Sequence, residues 1–249
     1  MAPVLTVNAG GRSPFVIACD HASNRVPAHY DGLGLSQRQR LMHIAWDPGA
    51  FAVSLRLSDA LDAPLVASTV SRLVVDCNRD AAAHDLIPVL SERTEIPGNA
   101  AITEAERRHR ITAYHEPFHK ALADILDARQ ARGEPAILVT VHSFTPVFKE
   151  KPRPWPIGLI HGENPRLTQA FRDALAAADP SLNIGWNEPY SGRSGVTYTL
   201  EHHGDGRGLD SIMLEIRNDE ITENDQIARW ASLIEGALRK AREALLQPA

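Results

Sequence analysis

Four short apolar runs, each ending at a cluster of chemically active residues, constrain this chain more than any other feature. Phe15-Val16-Ile17-Ala18-Cys19 leads into Asp20 and His21, and Leu73-Val74-Val75 leads into Asp76, Cys77, Asn78, Arg79 and Asp80. Ile137-Leu138-Val139-Thr140-Val141 leads into His142 and Ser143, and Ile212-Met213-Leu214 leads into Glu215, Ile216 and Arg217. Runs this apolar, rich in Val and Ile, read as strands buried on both faces. Such strands belong to an open sheet covered by helices, where ligands bind beyond the carboxyl ends of the strands. The expectation is an α/β fold of three layers with a mostly parallel central sheet. Two His, a Glu, an Asn and an Arg are then delivered to one rim from distant points in the chain. The competing reading is ordinary polar residues where strands enter loops. It explains one such run more readily than four with complementary chemistry.

A chain of 249 residues can bury a full core, and residues 1–249 read as a single domain. The net charge of −5 argues against nucleic acid or an anionic membrane as partner, both of which want a basic surface. No stretch approaches the roughly 18 apolar residues of a membrane span. The first residues, Met-Ala-Pro-Val-Leu-Thr-Val-Asn, lack the charged and apolar regions of a secretory signal, so the cytoplasm is the expected compartment. The two cysteines, Cys19 and Cys77, read as buried thiols filling core volume rather than as a disulfide.

Along the chain, residues 24–35 form a turn-rich loop and Ser36 reads as a helix N-cap. Asp47-Pro48 marks a further helix start, with Pro at the first helical position and the helix running to about 61. Residues 65–69 and 73–76 are strand candidates, paired as a hairpin. Residues 80–101 and 185–210 are long loops placed to wall a pocket. Thr103 with Glu106 matches a capping box that opens a helix running to about Arg132, ended by Gly133. A strand at 157–160, a helix at 165–178 and a last helix at about 223–246 complete an α/β order.

One local pattern misleads. His115-Glu116-Pro117-Phe118-His119 spells the zinc-protease motif H-E-x-x-H. Pro117 removes a helical hydrogen bond, disfavours helical geometry at residue 116 and is expected to kink the helix between the two imidazoles. His119 alone is left to reach the cleft. The glycines at 204, 206 and 208 do not follow a strand and open a helix, so they do not make a dinucleotide loop. No G-x-S-x-G elbow occurs, and Ser143 is assigned to orienting a ligand.

The distributed residues suit a divalent metal, with zinc the expected ion. Catalytic zinc takes N, O or S donors and keeps a position open. His21 and His142 are the best donors. The third should be acidic, and Asp20, Asp47 and the amide oxygen of Asn24 are the candidates. Activated water attacking an amide carbonyl needs a base, and Glu215 is placed to take that proton and pass it to the leaving nitrogen. Arg79 can stabilise the oxyanion or grip a carboxylate with its planar fork. Arg217, two residues beyond Glu215 on the strand, shares its face and can grip a second anionic group. The alternative for Glu215, Arg79 and Arg217 is a structural ion-pair network.

These residues together resemble the N-formylglutamate amidohydrolase family. The likeness runs from about Pro14 to Ile221. It is carried by Cys-Asp-His-Ala-Ser-Asn-Arg-Val-Pro at 19–27, Ala-Trp-Asp-Pro-Gly-Ala at 45–50 and Val-Asp-Cys-Asn-Arg-Asp at 75–80. Val-His-Ser-Phe-Thr-Pro at 141–146, Asn-Glu-Pro-Tyr-Ser-Gly at 187–192 and Leu-Glu-Ile-Arg-Asn-Asp at 214–219 continue it. The resemblance implies hydrolysis of N-formyl-L-glutamate or a related N-acyl amino acid, a small-molecule substrate. It also implies the zinc-exopeptidase-like (phosphorylase/hydrolase-like) fold shared with zinc carboxypeptidases and aspartoacylase. That fold's His-x-x-Glu pair, Asn-Arg pair, later His and late Glu fall on His21, Asn78, Arg79, His142 and Glu215. Its metal-binding Glu falls on Asn24, a neutral residue, and Asp47 is the residue chosen to replace it. Asn24, Asn78, Ser143, Tyr190 and Arg217 are assigned to the substrate pocket. A carboxypeptidase-like or broader deacylase activity, and a non-catalytic binding protein on the same scaffold, are the alternatives.

Overall fold

The computed structural model describes residues 2–190 and 195–247. Its strands are β1 (Val4–Val7), β2 (Phe15–Cys19), β3 (Leu65–Ser68), β4 (Leu90–Ser91), β5 (Thr94–Glu95), β6 (Ile137–Phe144), β7 (Val147–Phe148), β8 (Lys151–Pro152), β9 (Ile157–Ile160), β10 (Ile184–Trp186) and β11 (Asp210–Arg217). The helices are α1 (Gln37–Leu41), α2 (Ala50–Leu61), α3 (Glu104–Arg110), α4 (Glu116–Ala131), α5 (Arg166–Ala178) and α6 (Asn224–Leu246). Seven strands form one sheet in the order β1-β3-β2-β6-β11-β9-β10. The central pairings β3–β2, β2–β6 and β6–β11 are parallel, as is β9–β10, whereas β1–β3 and β11–β9 are antiparallel. The fold is α/β with a largely parallel sheet.

β2 and β6 are buried along their whole length, because helices cover both faces. On one face Phe15, Ile17, Val139, Val141, Ile212 and Leu214 pack against Leu57 of α2, Phe171 of α5 and Trp230 of α6. On the other face Val16, Ala18, Val66 and Leu138 meet Phe118, Leu122 and Leu126 of α4. Each fully buried Leu, Ile or Phe contributes roughly 1.5–3 kcal/mol, so alternate residues of the same strands hold two helix layers. The register then places function: β11 lies beside β6 with Glu215 opposite His142. Asp20 and His21 follow directly on β2, the other parallel neighbour of β6. Three carboxyl ends therefore meet at one rim.

The expected hairpin at 65–76 is not formed. Only its first half is a strand, and residues 70–76 turn across the rim with Val74 N–H donating to the Ser71 carbonyl and Ser71 N–H to the Arg25 carbonyl. Leu73 and Val74 pack into a separate small core with Leu33, Leu35, Ile44 and Ile96, and Val75 packs with Leu86 and Ile87. That burial, rather than strand pairing, explains the apolar run. β1 is an edge strand paired with β3. Ser36 caps α1 in a capping box with Gln39. Thr103 accepts from the Glu106 N–H, while the Glu106 carboxylate turns to Arg110. Asp47-Pro48 lies in a turn before α2, which begins at Ala50 after Gly49. Gly49 has φ +82°, and a Cβ there would stand 2.5 Å from the Ile221 carbonyl, so the turn that carries Asp47 requires glycine.

A π turn at Ile111–His115 joins α3 to α4 and places Pro117 in the first turn of α4, where a missing N–H is tolerated. The stretch 185–210 holds the end of β10, a π turn at Leu200–Gly204 and a 3-10 turn at Asp205–Arg207. Positions 191–194 of that expected loop lie outside the described residues.

Candidate metal centre and active site

His21 is carried just past the end of β2, His142 by β6 and Asp47 by the turn before α2. Asp47 is held there by its N–H donating to the His21 carbonyl, 3.0 Å. Its Oδ2 lies 3.2 Å from His21 Nδ1 and 3.0 Å from His142 Nδ1. One donor atom from each of the three lies within 4.8 Å of the others, and all three residues are buried. Each imidazole has a carboxylate at its far nitrogen. His21 Nε2 is 2.7 Å from Asp76 Oδ1, and His142 Nε2 is 3.1 Å from Asp20 Oδ2. Such outer carboxylates fix the tautomer and orientation of metal-binding histidines and raise their basicity.

The electrostatics call for cationic charge. Burial and the Arg72 charge push His21 down, yet Asp76 and Asp47 outweigh them and its pKa is raised. Burial pushes His142 down, but Asp20 and Asp47 carry it up to about 10. Asp47 and Asp76 are pushed up by burial and nevertheless held well below the usual carboxylate range by the His21 charge and, further, Arg72. With protein groups alone, the carboxylates favour the protonated form of both imidazoles. A divalent cation supplies the same two charges and releases those protons. The donor set, two nitrogens and a carboxylate oxygen, fits a divalent metal.

A cavity of about 80 Å³ opens on this cluster and is lined by His21, His43, Asp47, Arg72, Asn78, Arg79, His142, Ser143, Tyr190, Val196 and Glu215. Glu215 is buried, its Oε2 has no hydrogen-bond partner, and burial lifts its pKa to about 7 against the pull of the His142 charge. Asn78 accepts from the Thr199 N–H and donates to the Val196 carbonyl, tying the 195–199 segment to the rim. Ser143 donates its hydroxyl to the Pro48 carbonyl, 2.8 Å, and its N–H to Asp47. Arg79 lines the cavity and pairs with Asp85 at 2.9 Å.

Two expected pocket residues stand elsewhere. Arg217 binds Asp219 and Glu220 at 2.7 and 3.0 Å and donates to the Arg153 carbonyl, and it does not line the cavity. It shares the face of Glu215, and acids immediately after the strand bind its guanidinium. Asn24 also lies outside the cavity lining, because the segment after His21 leaves the rim. Asp20 sits on the His142 side, behind that ring rather than among the three donor atoms.

Sequence reasoning missed Arg72 and His43. Arg72 bridges Asp47 and Asp76 at 3.2 Å each. It lies between two segments read as the arms of a hairpin, which hid it. His43 has its Nδ1 3.6 Å from Asp47 Oδ1 and is pushed by burial to about 4, so it is neutral near pH 7. Its position four residues before Asp47 was the available signal. The H-E-x-x-H histidines do lie side by side, ring centroids 4.4 Å apart. Their nitrogens face carbonyls, however: His115 Nε2 that of Arg79 at 2.8 Å and His119 Nε2 that of Cys77 at 2.9 Å. His119 does not reach the cleft; it fastens the turn that bears Asp76, Asn78 and Arg79 from below. Cys19 and Cys77 are free and buried.

No helix among the described residues is long and apolar enough to cross a membrane. No curated protein matches the sequence. Among solved structures, a gene product of Agrobacterium tumefaciens is 39% identical, with a TM-score of 0.96 over 99% of this chain and 97% of that one. An N-formylglutamate amidohydrolase from Ralstonia eutropha shares the fold at 20% identity, with a TM-score of 0.68 over 98% of each chain. The family model for N-formylglutamate amidohydrolase matches residues 13–222, which take in His21, Asp47, His142 and Glu215 alike, and the chain belongs to that family of hydrolases.

Proposed function

We propose that the protein is a zinc-dependent amidohydrolase that releases formate, or another small acid, from an N-acyl amino acid, with N-formyl-L-glutamate as first choice. One observation carries the reading: a buried glutamate with a free oxygen and a pKa near 7 faces the same cavity as a His-Asp-His donor set. His21, Asp47 and His142 hold the ion. A divalent cation there supplies Lewis-acid polarisation of the amide oxygen and lowers the pKa of water.

The chain's own groups do the rest. Near neutrality Glu215 exchanges a proton readily in either direction, the match a general acid–base residue needs. Its Oε2 accepts the proton of the attacking water and returns it to the leaving nitrogen. Arg79, at the cavity wall, binds anionic charge of the substrate through its planar fork. Asn78 and Ser143 keep the wall in place, since their side-chain hydrogen bonds go to backbone. Tyr190 closes one side. Asp76 and Asp20 hold the two imidazoles with Nδ1 directed toward Asp47. The two free, buried cysteines are compatible with a reducing compartment, and the cytoplasm is the proposed location.

A broader deacylase is the second reading. It is favoured by a 240 Å³ cavity that shares His43, Arg72, Arg79 and Tyr190 with the small one. The test is formate release from N-formyl-L-glutamate beside acetate release from N-acetyl amino acids, each with and without chelator. Formate released and abolished by chelation is expected. Turnover indifferent to both chelation and Glu215→Gln overturns the mechanism.

A further inference from the structure

The arginines around the site differ in one respect. Arg72 is paired with Asp47 and Asp76, Arg79 with Asp85, and Arg217 with Asp219 and Glu220. Arg153 is only 8% exposed, yet its Nη1 is buried with no hydrogen-bond partner, and no carboxylate pairs with it among the described residues. The sequence of 191–194, Ser-Gly-Arg-Ser, contributes no acid either. The guanidinium instead lies over three aromatic rings, 4.6 Å from the Phe148 centroid, 5.1 Å from Tyr190 and 5.6 Å from Phe144. Ring faces attract a cation but do not replace the hydrogen bonds that a guanidinium loses on leaving water. A buried arginine in this state lacks an anion.

The position of Arg153 indicates which anion. Phe148 and Tyr190 form part of the wall of the 240 Å³ cavity, and Tyr190 also lines the 80 Å³ cavity with Glu215 and the metal donors. With the scissile amide in the small cavity, the rest of the substrate occupies the larger one, against the wall behind which Arg153 lies. The half-buried Tyr190 ring lines both cavities and lies against the Arg153 guanidinium, so it is the side chain that the two share.

We infer that Arg153 is the receptor for the side-chain carboxylate of the substrate, and thereby selects N-acyl derivatives of acidic amino acids. The inference rests on the amidohydrolase reading of the site. Arg79, already half-satisfied by Asp85, takes the α-carboxylate, and Arg153 takes the second.

The experiment compares wild type, Arg153→Met and Arg153→Lys on N-formyl-L-glutamate and its side-chain amide, N-formyl-L-glutamine. Circular dichroism and melting confirm that each variant is folded. Arg153→Met is expected to raise KM for the glutamate derivative roughly 10- to 100-fold, the worth of a lost hydrogen bond to a charged group, with kcat changed far less. It should leave the glutamine derivative nearly unaffected, so that the preference for the acid collapses. Arg153→Lys keeps the charge without the fork and should restore part of it. A folded Arg153→Met enzyme that keeps the wild-type preference overturns the inference. Calorimetric binding of glutarate, a dicarboxylate with no bond to cleave, separates this from the reading of the reaction. Binding by wild type that weakens at least about tenfold in Arg153→Met supports the receptor even if no formyl substrate turns over. Equal binding by both proteins, or none by wild type, overturns it. Should Arg153→Met not fold, the same comparison with Arg153→Lys decides.

Discussion

Two groups of buried histidines share the Asp76–Arg79 turn and behave in opposite ways. His21 meets the turn through the Asp76 side chain, whereas His115 and His119 meet it through the carbonyls of Arg79 and Cys77. From the same ordinary value, His142 is carried up to about 10 and His119 falls to about 3, with His203 beside it at about 4. Burial lowers both groups; what faces the ring nitrogens decides the outcome. Carboxylates surround His21 and His142, so positive charge is welcome there. His119 faces the Cys77 carbonyl and His203, 3.0 Å away, and His203 has His202 and Arg207 near it, so positive charge is disfavoured at both. The first group suits a cation, and the second is a neutral strut beneath the first.

The largest effect that would break this contrast comes from Glu215→Gln or His142→Ala. Glu215→Gln should cut kcat by roughly 10²–10⁴-fold while metal content, measured by elemental analysis, stays near wild type. His142→Ala should lose both activity and stoichiometric metal. A His119→Ala protein that also lost its metal, with the fold intact, would erase the distinction between the groups.

The next prediction concerns acid stability. In the folded chain His119 and His203 stay neutral down to about 3 and 4, while the unfolded chain takes up protons near pH 6.5. The unfolded state therefore binds more protons in this window. The contribution is complete above pH 6.5 and falls away toward pH 4, on the order of 3 kcal/mol for each of the two histidines. Urea unfolding at a series of pH values should show the decline, and His203→Gln should flatten it. An unchanged slope in that variant would place the acid sensitivity elsewhere.

His119→Gln probes the strut alone. It should cost about 1–3 kcal/mol, the penalty for an unsatisfied buried partner, read as a lower urea midpoint at unchanged metal content. The smallest effect is expected at Arg217→Ala. Its partners Asp219 and Glu220 are local and partly exposed, and such pairs are worth about 0–1 kcal/mol. Substrate KM should stay within about threefold of wild type, which separates Arg217 from Arg79.

Much of this was legible from residue order. The apolar runs at 15–19, 137–141 and 212–214 are strands because Val and Ile at every position suit a sheet covered on both faces. Their ends deliver His21, His142 and Glu215 because parallel strands begin and finish together. The run at 73–75 carried the same local signal but packs into loop cores, Leu73 and Val74 with Leu33 and Ile96 and Val75 with Leu86 and Ile87. No periodicity distinguishes a buried loop from a short buried strand. Arg72 was lost with that misreading. Strand alternation gives the face of Arg217 but says nothing of its pairing with the acids two and three residues on.

The order of apolar runs and polar clusters thus determined by itself the layered α/β architecture, the rim and the residue types gathered there. Such patterning acts through burial, which every strand satisfies locally. Only the tertiary structure decided which histidine nitrogens meet carboxylates, that Asp47 stands between two of them, and that Arg153 is left without an acid. Those outcomes depend on side chains brought together from distant positions, as His21 with Asp47 and Asp20 with His142 are. Chain order does not encode the angle at which two distant groups finally face each other.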